Sequence, residues 1–298
     1  MAERMRVVVS GASGLIGTAL CDSLARDGHA VTRLVRREAG AGESRWDPAE
    51  GRIDAAAIEG SDAVVHLAGA GIGDRRWTAA YKREILESRT RSTDVLACAI
   101  AGATRRPAVF VSGSAIGWYG PRGDELLGET ASRGAGFLSD VCAQWEAAAA
   151  GAGVRTVLLR TGIVLSPRGG ALAKQLPLFR LGLGGRFGNG RQWQSWIDVD
   201  DEVRAIRHAI DSRLEGPVNL TAPEPVTGAE FARTLARVLR RPALLPIPAF
   251  GPRLLLGREL ADALLFTGQR VTPDALTRSG FAFSYPTLEA SLRHLLAR

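Results

Sequence analysis

Cysteine is scarce in this sequence, and long apolar runs are missing. The chain has 298 residues and three cysteines, none in a Cys-x-x-Cys pair. We therefore expect neither a disulfide framework nor a zinc site, and we expect the protein to reside in a reducing compartment. No segment reaches the ~18 apolar residues of a membrane span. Near the start, Val7–Val9 run into a glycine turn rather than a small-residue cleavage site, so we expect a cytoplasmic protein with no membrane partner and no metal.

The composition that remains is that of a globular protein with a basic surface. Its 46% hydrophobic and 23% charged residues are ordinary fractions for a folded chain. A formal net charge of +7 suits either a nucleic-acid partner or positive charge around an anionic ligand. Basic patches and interleaved aromatic residues do not occur together here, so we expect a small anionic ligand and no nucleic acid.

Strand-like and helical patterns alternate along the first half of the chain. The apolar, β-branched runs that predict strands cover residues 6–10, 30–35, 63–67, 108–112 and 154–160. The helical spacings between them include residues 15–26, 93–101 and 139–150. Repetition of strand and helix predicts an α/β fold with a Rossmann-type, doubly wound parallel sheet. A glycine-rich connection over 114–136 is long enough to be functional or mobile.

A glycine turn between the first strand and the first helix carries the strongest local signal. In residues 11–17, Gly11 allows a tight turn, Gly14 lets the backbone approach a pyrophosphate, and Gly17 lets the helix pack close to the sheet. The pyrophosphate would lie at the positive end of the helix, although such a turn can also be a structural corner. The predicted cofactor-binding residues of this segment are Gly11, Ser13, Gly14, Leu15, Ile16 and Gly17.

The end of the second strand indicates which dinucleotide binds. An NAD site would place an acidic residue there for the ribose 2′-hydroxyl, whereas this chain has Val35-Arg36-Arg37. An arginine can pair with a 2′-phosphate, or both arginines can be solvated surface charge. The missing acid favours NADP(H), with Val35 and Arg36 as contacts.

The third predicted strand ends in His66-Leu67-Ala68-Gly69. Its small residues leave the backbone open where the ribose and nicotinamide of a dinucleotide would pass. We therefore predict Leu67, Ala68 and Gly69 as cofactor contacts. His66 is assigned no role, because a lone histidine at a sheet end is usually structural.

Taken together, these segments resemble a known family. The glycine turn, residues 66–69, and Ser112-Gly113-Ser114 followed by Tyr119-Gly120 resemble the extended short-chain dehydrogenase/reductases. They most resemble an atypical, epimerase-like branch whose members are often called NAD-dependent epimerase family proteins or cell-division-inhibitor homologues. Further signatures are Arg76-Trp77, Gly136-Phe137-Leu138, Trp145-Glu146, residues 179–185, residues 266–271 and Gly280-Phe281. The resemblance covers essentially the whole chain.

The resemblance implies a domain division and two further cofactor contacts. It implies an NADP-binding Rossmann domain over 1–166 with a sheet return near 195–221. A small C-terminal substrate subdomain would cover 167–298, including an epimerase-family tail of about 245–298. It also places Glu84 and Arg89 near the cofactor, although the two residues could equally form a solvated helix face.

The sequence departs from the family where its chemistry normally resides. That chemistry uses Tyr-x-x-x-Lys, in which the lysine lowers the pKa of the acid/base tyrosine, but residues 137–142 contain neither type. Ser114 falls where the family has its catalytic serine, and Tyr119 follows in the same loop. They are the catalytic candidates, although both could instead satisfy turn hydrogen bonds.

Two functions follow from this pattern. The first is an NADP(H)-dependent oxidoreductase or epimerase that transfers a hydride on a small hydroxyl or carbonyl compound; only the family name suggests a nucleotide sugar. The second is a non-catalytic NADPH-binding sensor or regulator, which the missing Tyr-x-x-x-Lys favours. The assembly state stays open, with a homodimer as one option.

Overall fold

A computed structural model of the chain describes residues 4–243 and 246–296. Within them the strands are β1 (Arg6–Ser10), β2 (Ala30–Val35), β3 (Glu43–Asp47), β4 (Arg52–Ile53), β5 (Ala63–His66), β6 (Val109–Ala115), β7 (Leu126–Leu127), β8 (Arg155–Thr161), β9 (Ile163–Leu165), β10 (Trp193–Gln194), β11 (Trp196–Asp198), β12 (Gly216–Leu220), β13 (Val226–Thr227) and β14 (Arg270–Val271). The helices are α1 (Leu15–Arg26), α2 (Ala55–Ile58), α3 (Ala79–Gly102), α4 (Phe137–Ala149), α5 (Gly170–Arg180), α6 (Val199–Asp211), α7 (Gly228–Leu239), α8 (Phe250–Leu256), α9 (Arg258–Ala261), α10 (Asp274–Arg278) and α11 (Leu288–Leu296).

Eight of these strands form one central sheet in the order β12-β8-β6-β5-β1-β2-β3-β4. All neighbours pair in parallel except β3 and β4, which are antiparallel. Strand order reverses direction at β1, which confirms the predicted doubly wound sheet. A crevice at the carboxyl ends of the strands is expected at such a switch point.

The central strands are apolar because both of their faces are covered. Val7 and Val9 of β1 pack with α1 and α6 on one face. Val8, between them in sequence, packs with Leu96 and Ile100 of α3 on the other face. This alternation is the two-residue period of a β-strand, and it fixes which helices cover which side of the sheet.

Helix α1 has the bounds that the sequence predicts, whereas α3 is much longer than the predicted 93–101. Its first half starts at Thr78, whose hydroxyl accepts the backbone N–H of Tyr81 at 3.1 Å. The buried positions of this half are Tyr81, Ile85 and Arg89. They lie four residues apart on one helix face, but only Ile85 is aliphatic, so the apolar pattern does not show the helix.

The predicted connection over 114–136 is not featureless. It contains the end of β6, a short 3₁₀ turn at residues 116–119, and β7, which pairs in parallel with β14 near the C-terminus. Helix α8 begins at Phe250, shortly after residues 244–245, which lie outside the described residues. The glycine-rich connection is therefore held against the C-terminal part of the chain.

The second half of the chain contributes to two apolar clusters. Helices α5, α7 and α11 share an apolar cluster with Trp196. Strand β12 and helix α6 instead return to the central sheet, where α6 packs against α1. Phe281 and Phe283 also pack on the main core. Within the described residues, no helix is both long enough and apolar enough to cross a membrane.

Candidate functional site

The glycine turn holds α1 close to the ends of β1 and β5. Gly11 has a φ of +70°, and a Cβ on it would lie 2.6 Å from the carbonyl carbon of Leu67. A Cβ on Gly17 would overlap the carbonyl oxygen of Gly11. Only glycine fits at position 11, because of both its backbone conformation and the lack of space. Only glycine fits at position 17, because the first turn of α1 packs directly against Gly11.

The N-terminus of α1 opens onto a cavity. Gly14 precedes the helix and has no side chain that could cap it. The first backbone N–H groups of a helix lack intrahelical acceptors, and together with the helix dipole they favour an anion. Ser13 is exposed beside this turn. The cavity of about 350 Å³ is lined by Gly11, Gly14, Leu15, Ile16, Gly17, Leu67, Ile163, Val164, Gly170 and Ala171.

Four of those lining residues were not predicted as site residues. Ile163 and Val164 belong to β9, and Gly170 and Ala171 begin α5. A Cβ on Gly169 would lie 3.4 Å from Leu15, so α5 begins against the glycine turn. The sequence signal that could have revealed this part of the site is Gly169-Gly170, a glycine pair between a short apolar strand and a helix.

The two arginines after β2 have different surroundings. Arg37 donates to both carboxylate oxygens of Glu43, at 2.7 and 2.6 Å, and Glu43 also accepts the backbone N–H of Gly40. These hydrogen bonds, those from Arg37 first, lower the pKa of Glu43 to about 2. Arg36 is exposed and has no ion-pair partner within residues 4–243 and 246–296. Arg36, next to the half-buried Val35, is therefore the arginine available to an added anion.

His66 has a structural place at the end of β5. Its Nδ1 is 2.6 Å from the Ser10 hydroxyl, and its Nε2 is 3.1 Å from the Ser92 hydroxyl. Complete burial, assisted by the charge of Arg89, lowers the pKa of His66 to about 3. The imidazole is neutral and ties β1, β5 and α3 together, and Leu67, Ala68 and Gly69 leave the sheet directly after it.

Arg89 is a buried cation beside Gly69. It is 7% exposed, its Nη1 donates to the Ile85 carbonyl at 3.0 Å, and its guanidinium lies 5.1 Å from the Trp145 ring centroid. A Cβ on Gly69 would be 3.1 Å from the guanidinium carbon. No carboxylate pairs with Arg89 among the described residues, and burial lowers its pKa. An unpaired buried charge is costly, so this position suits an anionic or strongly polar ligand.

Glu84, the other predicted contact on α3, has a different environment. It is exposed, and its nearest opposite charge is Arg75 at 3.7 Å. Positions 84 and 89 lie on different faces of the helix. The structure thus brings Arg89 to the ends of the strands and leaves Glu84 on the solvated face, where no contact supports its predicted role.

The Ser114 side chain belongs to a buried polar network at the carboxyl end of β6. Its hydroxyl donates to Glu146 Oε1 at 2.6 Å. Arg160 of β8 donates to the same carboxylate through Nε at 2.8 Å and Nη2 at 2.9 Å. The side chains of Arg160 and Glu146 are 3% and 8% exposed, so the pair is largely shielded from water.

Tyr119, the second catalytic candidate, lies deeper in the same network. It is 0% exposed, its hydroxyl donates to Asn219 Oδ1 at 2.7 Å, and it accepts from Arg160 Nη1 at 3.1 Å. Burial raises the pKa of its phenol. With its proton engaged and no access to solvent, the hydroxyl is placed to hold Arg160 rather than to exchange a proton with a ligand.

Helix α4 has no acid/base group where the family has its tyrosine. Leu138 and Cys142 face Gly117: a Cβ on that glycine would lie 3.3 and 3.5 Å from them. The Cys142 thiol donates to the Ala115 carbonyl, and burial raises its pKa to about 11. The thiol is therefore neutral near pH 7. Asp140, in the same segment, is exposed and pairs with Arg133 at 3.1 Å. Glu146 lies one turn beyond Cys142 on α4.

Two family models cover most of the chain. The model of the NAD dependent epimerase/dehydratase family matches residues 7–220. A domain of unknown function (DUF1731) matches residues 247–295. The second match lies within the tail of about 245–298 that the family resemblance implied.

Similar proteins match over nearly the full length of this chain. Epimerase family protein Mb2239 of Mycobacterium bovis is 45% identical over 297 residues, which are 98% of both chains. A crystal structure of human epimerase family protein SDR39U1 (isoform 2) with NADPH superposes with a TM-score of 0.91 and 37% identity, covering 98% of this chain and 99% of that one. A nucleoside-diphosphate sugar epimerase from Corynebacterium glutamicum gives a TM-score of 0.80 and 36% identity, covering 99% of this chain and 58% of that one.

Proposed function

The chain belongs to the NAD-dependent epimerase/dehydratase family, and we propose that it binds NADP(H) and uses it on a small hydroxyl or carbonyl compound. The observation that carries the proposal is the uncapped start of α1, pressed against Gly11 and open to a cavity at the carboxyl edge of the sheet. Backbone N–H groups in this arrangement hold a pyrophosphate. The NADPH in the human relative supports the choice of cofactor.

The chain's own residues suit the parts of this cofactor in order along the groove. The pyrophosphate would lie on residues 11–17, including the exposed Ser13. The 2′-phosphate would pair with Arg36 beside Val35, because Arg37 is held by Glu43. Leu67, Ala68 and Gly69 leave room for the ribose and nicotinamide, and Arg89 lies beneath Gly69 without a carboxylate of its own. Glu84 stays a weaker prediction, because its side chain is exposed.

When bound, the cofactor supplies or accepts a hydride at the nicotinamide C4. The protein has to bind the substrate oxygen and move its proton. Ser114 lies at the end of β6, two strands from the glycine turn, and is the candidate for contacting that oxygen. Because the C-terminal part packs against the same edge of the sheet, we assign substrate binding to the predicted subdomain. A nucleotide sugar is one such substrate, in line with the Corynebacterium relative.

Titration of the purified chain with NADPH and NADH by calorimetry tests the cofactor assignment. We expect NADPH to bind more tightly, because only its 2′-phosphate can pair with Arg36. A screen of hydroxyl and carbonyl compounds with the bound cofactor then tests the chemistry. Binding of neither nucleotide would contradict the proposal, and tight NADPH binding without any turnover would favour the sensor or regulator.

A further inference from the structure

The Ser114 hydroxyl has one proton, and it already donates that proton in a hydrogen bond within the protein. It points to Glu146 Oε1 at 2.6 Å, so the remaining capacity of the Ser114 oxygen is its lone pairs. A ligand hydroxyl that reaches Ser114 must therefore donate to it. A proton arriving on Ser114 has a carboxylate directly behind it.

The carboxylate is held in place by a second, rigid group. Arg160 donates to it through two parallel hydrogen bonds, a bidentate geometry that fixes the plane of the carboxylate. The guanidinium lies 4.0 Å from the Trp118 ring centroid and also donates to Tyr119. Tight packing brings α4 to this point, since a Cβ on Gly113 would lie 2.7 Å from Trp145.

Resting on the proposed function, we propose that Ser114 and Glu146 form the proton relay of this chain, with Arg160 as positioning residue, in place of the missing Tyr-x-x-x-Lys. Glu146 is the carboxylate that contacts Ser114 in the described residues. Tyr119 donates to Asn219 instead, and Cys142 donates to a backbone carbonyl. The charged or titratable groups around Glu146 are Arg160 from β8, Arg89 from α3, Cys142 from α4 itself, Tyr119 from the 3₁₀ turn, and Glu129, whose carbonyl accepts from Arg160.

The relay balances protons in both directions. As a substrate carbon gives up its hydride, the substrate O–H bond breaks and its proton forms a bond to Ser114 Oγ. The original Oγ–H bond of Ser114 breaks, and that proton passes to Glu146 Oε1. The products are a carbonyl compound and a Glu146 carboxyl that holds the proton until it is returned through Ser114. Reduction runs the same two transfers backwards, so Glu146 must begin protonated.

The test compares wild type with Glu146→Gln, which keeps the shape of the side chain but cannot accept the proton. The reaction is NADPH-dependent reduction of diacetyl and phenanthrenequinone, two test dicarbonyls, followed at one pH. Glu146→Gln should lower kcat by ~10²-fold or more, while the Kd for NADPH stays the same. Glu146→Asp should restore part of the rate.

Two controls separate the relay from a structural role. Glu202→Gln changes another buried glutamate, which accepts from Thr161 rather than Ser114, and should leave kcat unchanged. Adding Ser114→Ala to Glu146→Gln should cost no further rate, because both variants remove the same path. Without cofactor, the denaturant midpoints of the single and double variants should likewise be non-additive, since the two side chains share one hydrogen bond.

The outcomes that overturn the proposal are distinct from failure of the proposed function. If wild type is active and Glu146→Gln has the same rate, the relay is overturned and the function stands. A wild type that binds NADPH but reduces neither dicarbonyl would count against the function, and the relay would fall with it. Additive denaturant midpoints would show that the Ser114–Glu146 bond does not exist in solution.

Discussion

Arg36 and Arg37 have the same chemistry and adjacent positions, but different availability. Glu43 engages Arg37 through both carboxylate oxygens, and Arg36 remains exposed. Sequence alone places both arginines at the end of β2 and cannot distinguish them, because Glu43 becomes their neighbour only when β3 pairs with β2.

Arg36→Asp should weaken NADPH binding far more than NADH binding. The substitution removes the cation and places a negative charge where the 2′-phosphate would lie, and a charge-assisted hydrogen bond contributes roughly 1.5–3 kcal/mol. Calorimetric Kd values for the two nucleotides measure the effect. Arg233→Asp, the same change on the exposed face of α7, is the matched control. Equal weakening for both nucleotides would contradict the role of Arg36.

Glu202 predicts a pH dependence of stability. It is completely buried, Thr161 is its hydrogen-bond partner, and burial raises its pKa from 4.5 to about 8. The folded state therefore binds a proton that the unfolded state has lost between those values. Its contribution to stability is fully present below about pH 4.5 and is lost as pH rises to about 8.

Glu202→Gln should make the free energy of unfolding less dependent on pH. A single titrating group changes that free energy by at most about 1.4 kcal/mol per pH unit. The variant should unfold at higher denaturant than wild type near pH 8, and the difference should shrink toward pH 5. Urea unfolding at several pH values is the measurement, with the exposed Glu224→Gln as control. A parallel pH profile for wild type and variant would show that Glu202 is ionised in the folded protein.

At the scale of elements, helix α1 and its turn form one unit. Residues 15–26 could be assigned from the sequence because apolar spacing, the preceding glycines and the strand before them all agree. The first half of α3 could not, because its buried face carries Tyr81 and Arg89 instead of aliphatic residues. Strand β3 was missed since its buried residues are a serine and a tryptophan, Ser44 and Trp46.

Gly17→Ala should disrupt this unit. The added methyl group would overlap the Gly11 carbonyl, so the helix start must move away from the turn. We expect a lower melting temperature and loss of NADPH binding. Gly102→Ala is the control, because a Cβ there meets nothing within 4 Å. Unchanged NADPH affinity in Gly17→Ala would mean that the helix start tolerates displacement and is not the pyrophosphate site.

At the scale of the whole molecule, the proposed groove is shared by distant parts of the chain. The glycine turn, Leu67 after β5, β9 and the start of α5 all line one cavity. A cofactor bound there should stabilise the folded state against unfolding as a whole. The expected gain is about 2.7 kcal/mol at a hundredfold excess over Kd.

NADPH should therefore raise the melting temperature by a few degrees, and NADH by less at the same concentration. Differential scanning fluorimetry across nucleotide concentrations measures both shifts. With Arg36→Asp the two shifts should become similar. A melting temperature that does not depend on either nucleotide would contradict binding in the groove.

The sequence by itself determined the doubly wound sheet and the glycine turn, because both depend on local patterns: apolar runs, helical spacing and glycine at required places. Tertiary structure alone decided that Glu146 and Arg160 meet Ser114, that Glu43 engages Arg37, and that Gly170 lines the cavity beside Leu15. Arg37 and Glu43 are only six residues apart, but they meet when β3 pairs with β2; the other residues come from elements that are separated in sequence. Their contacts arise from the strand order and the packing of α4 and α5, which no local pattern encodes.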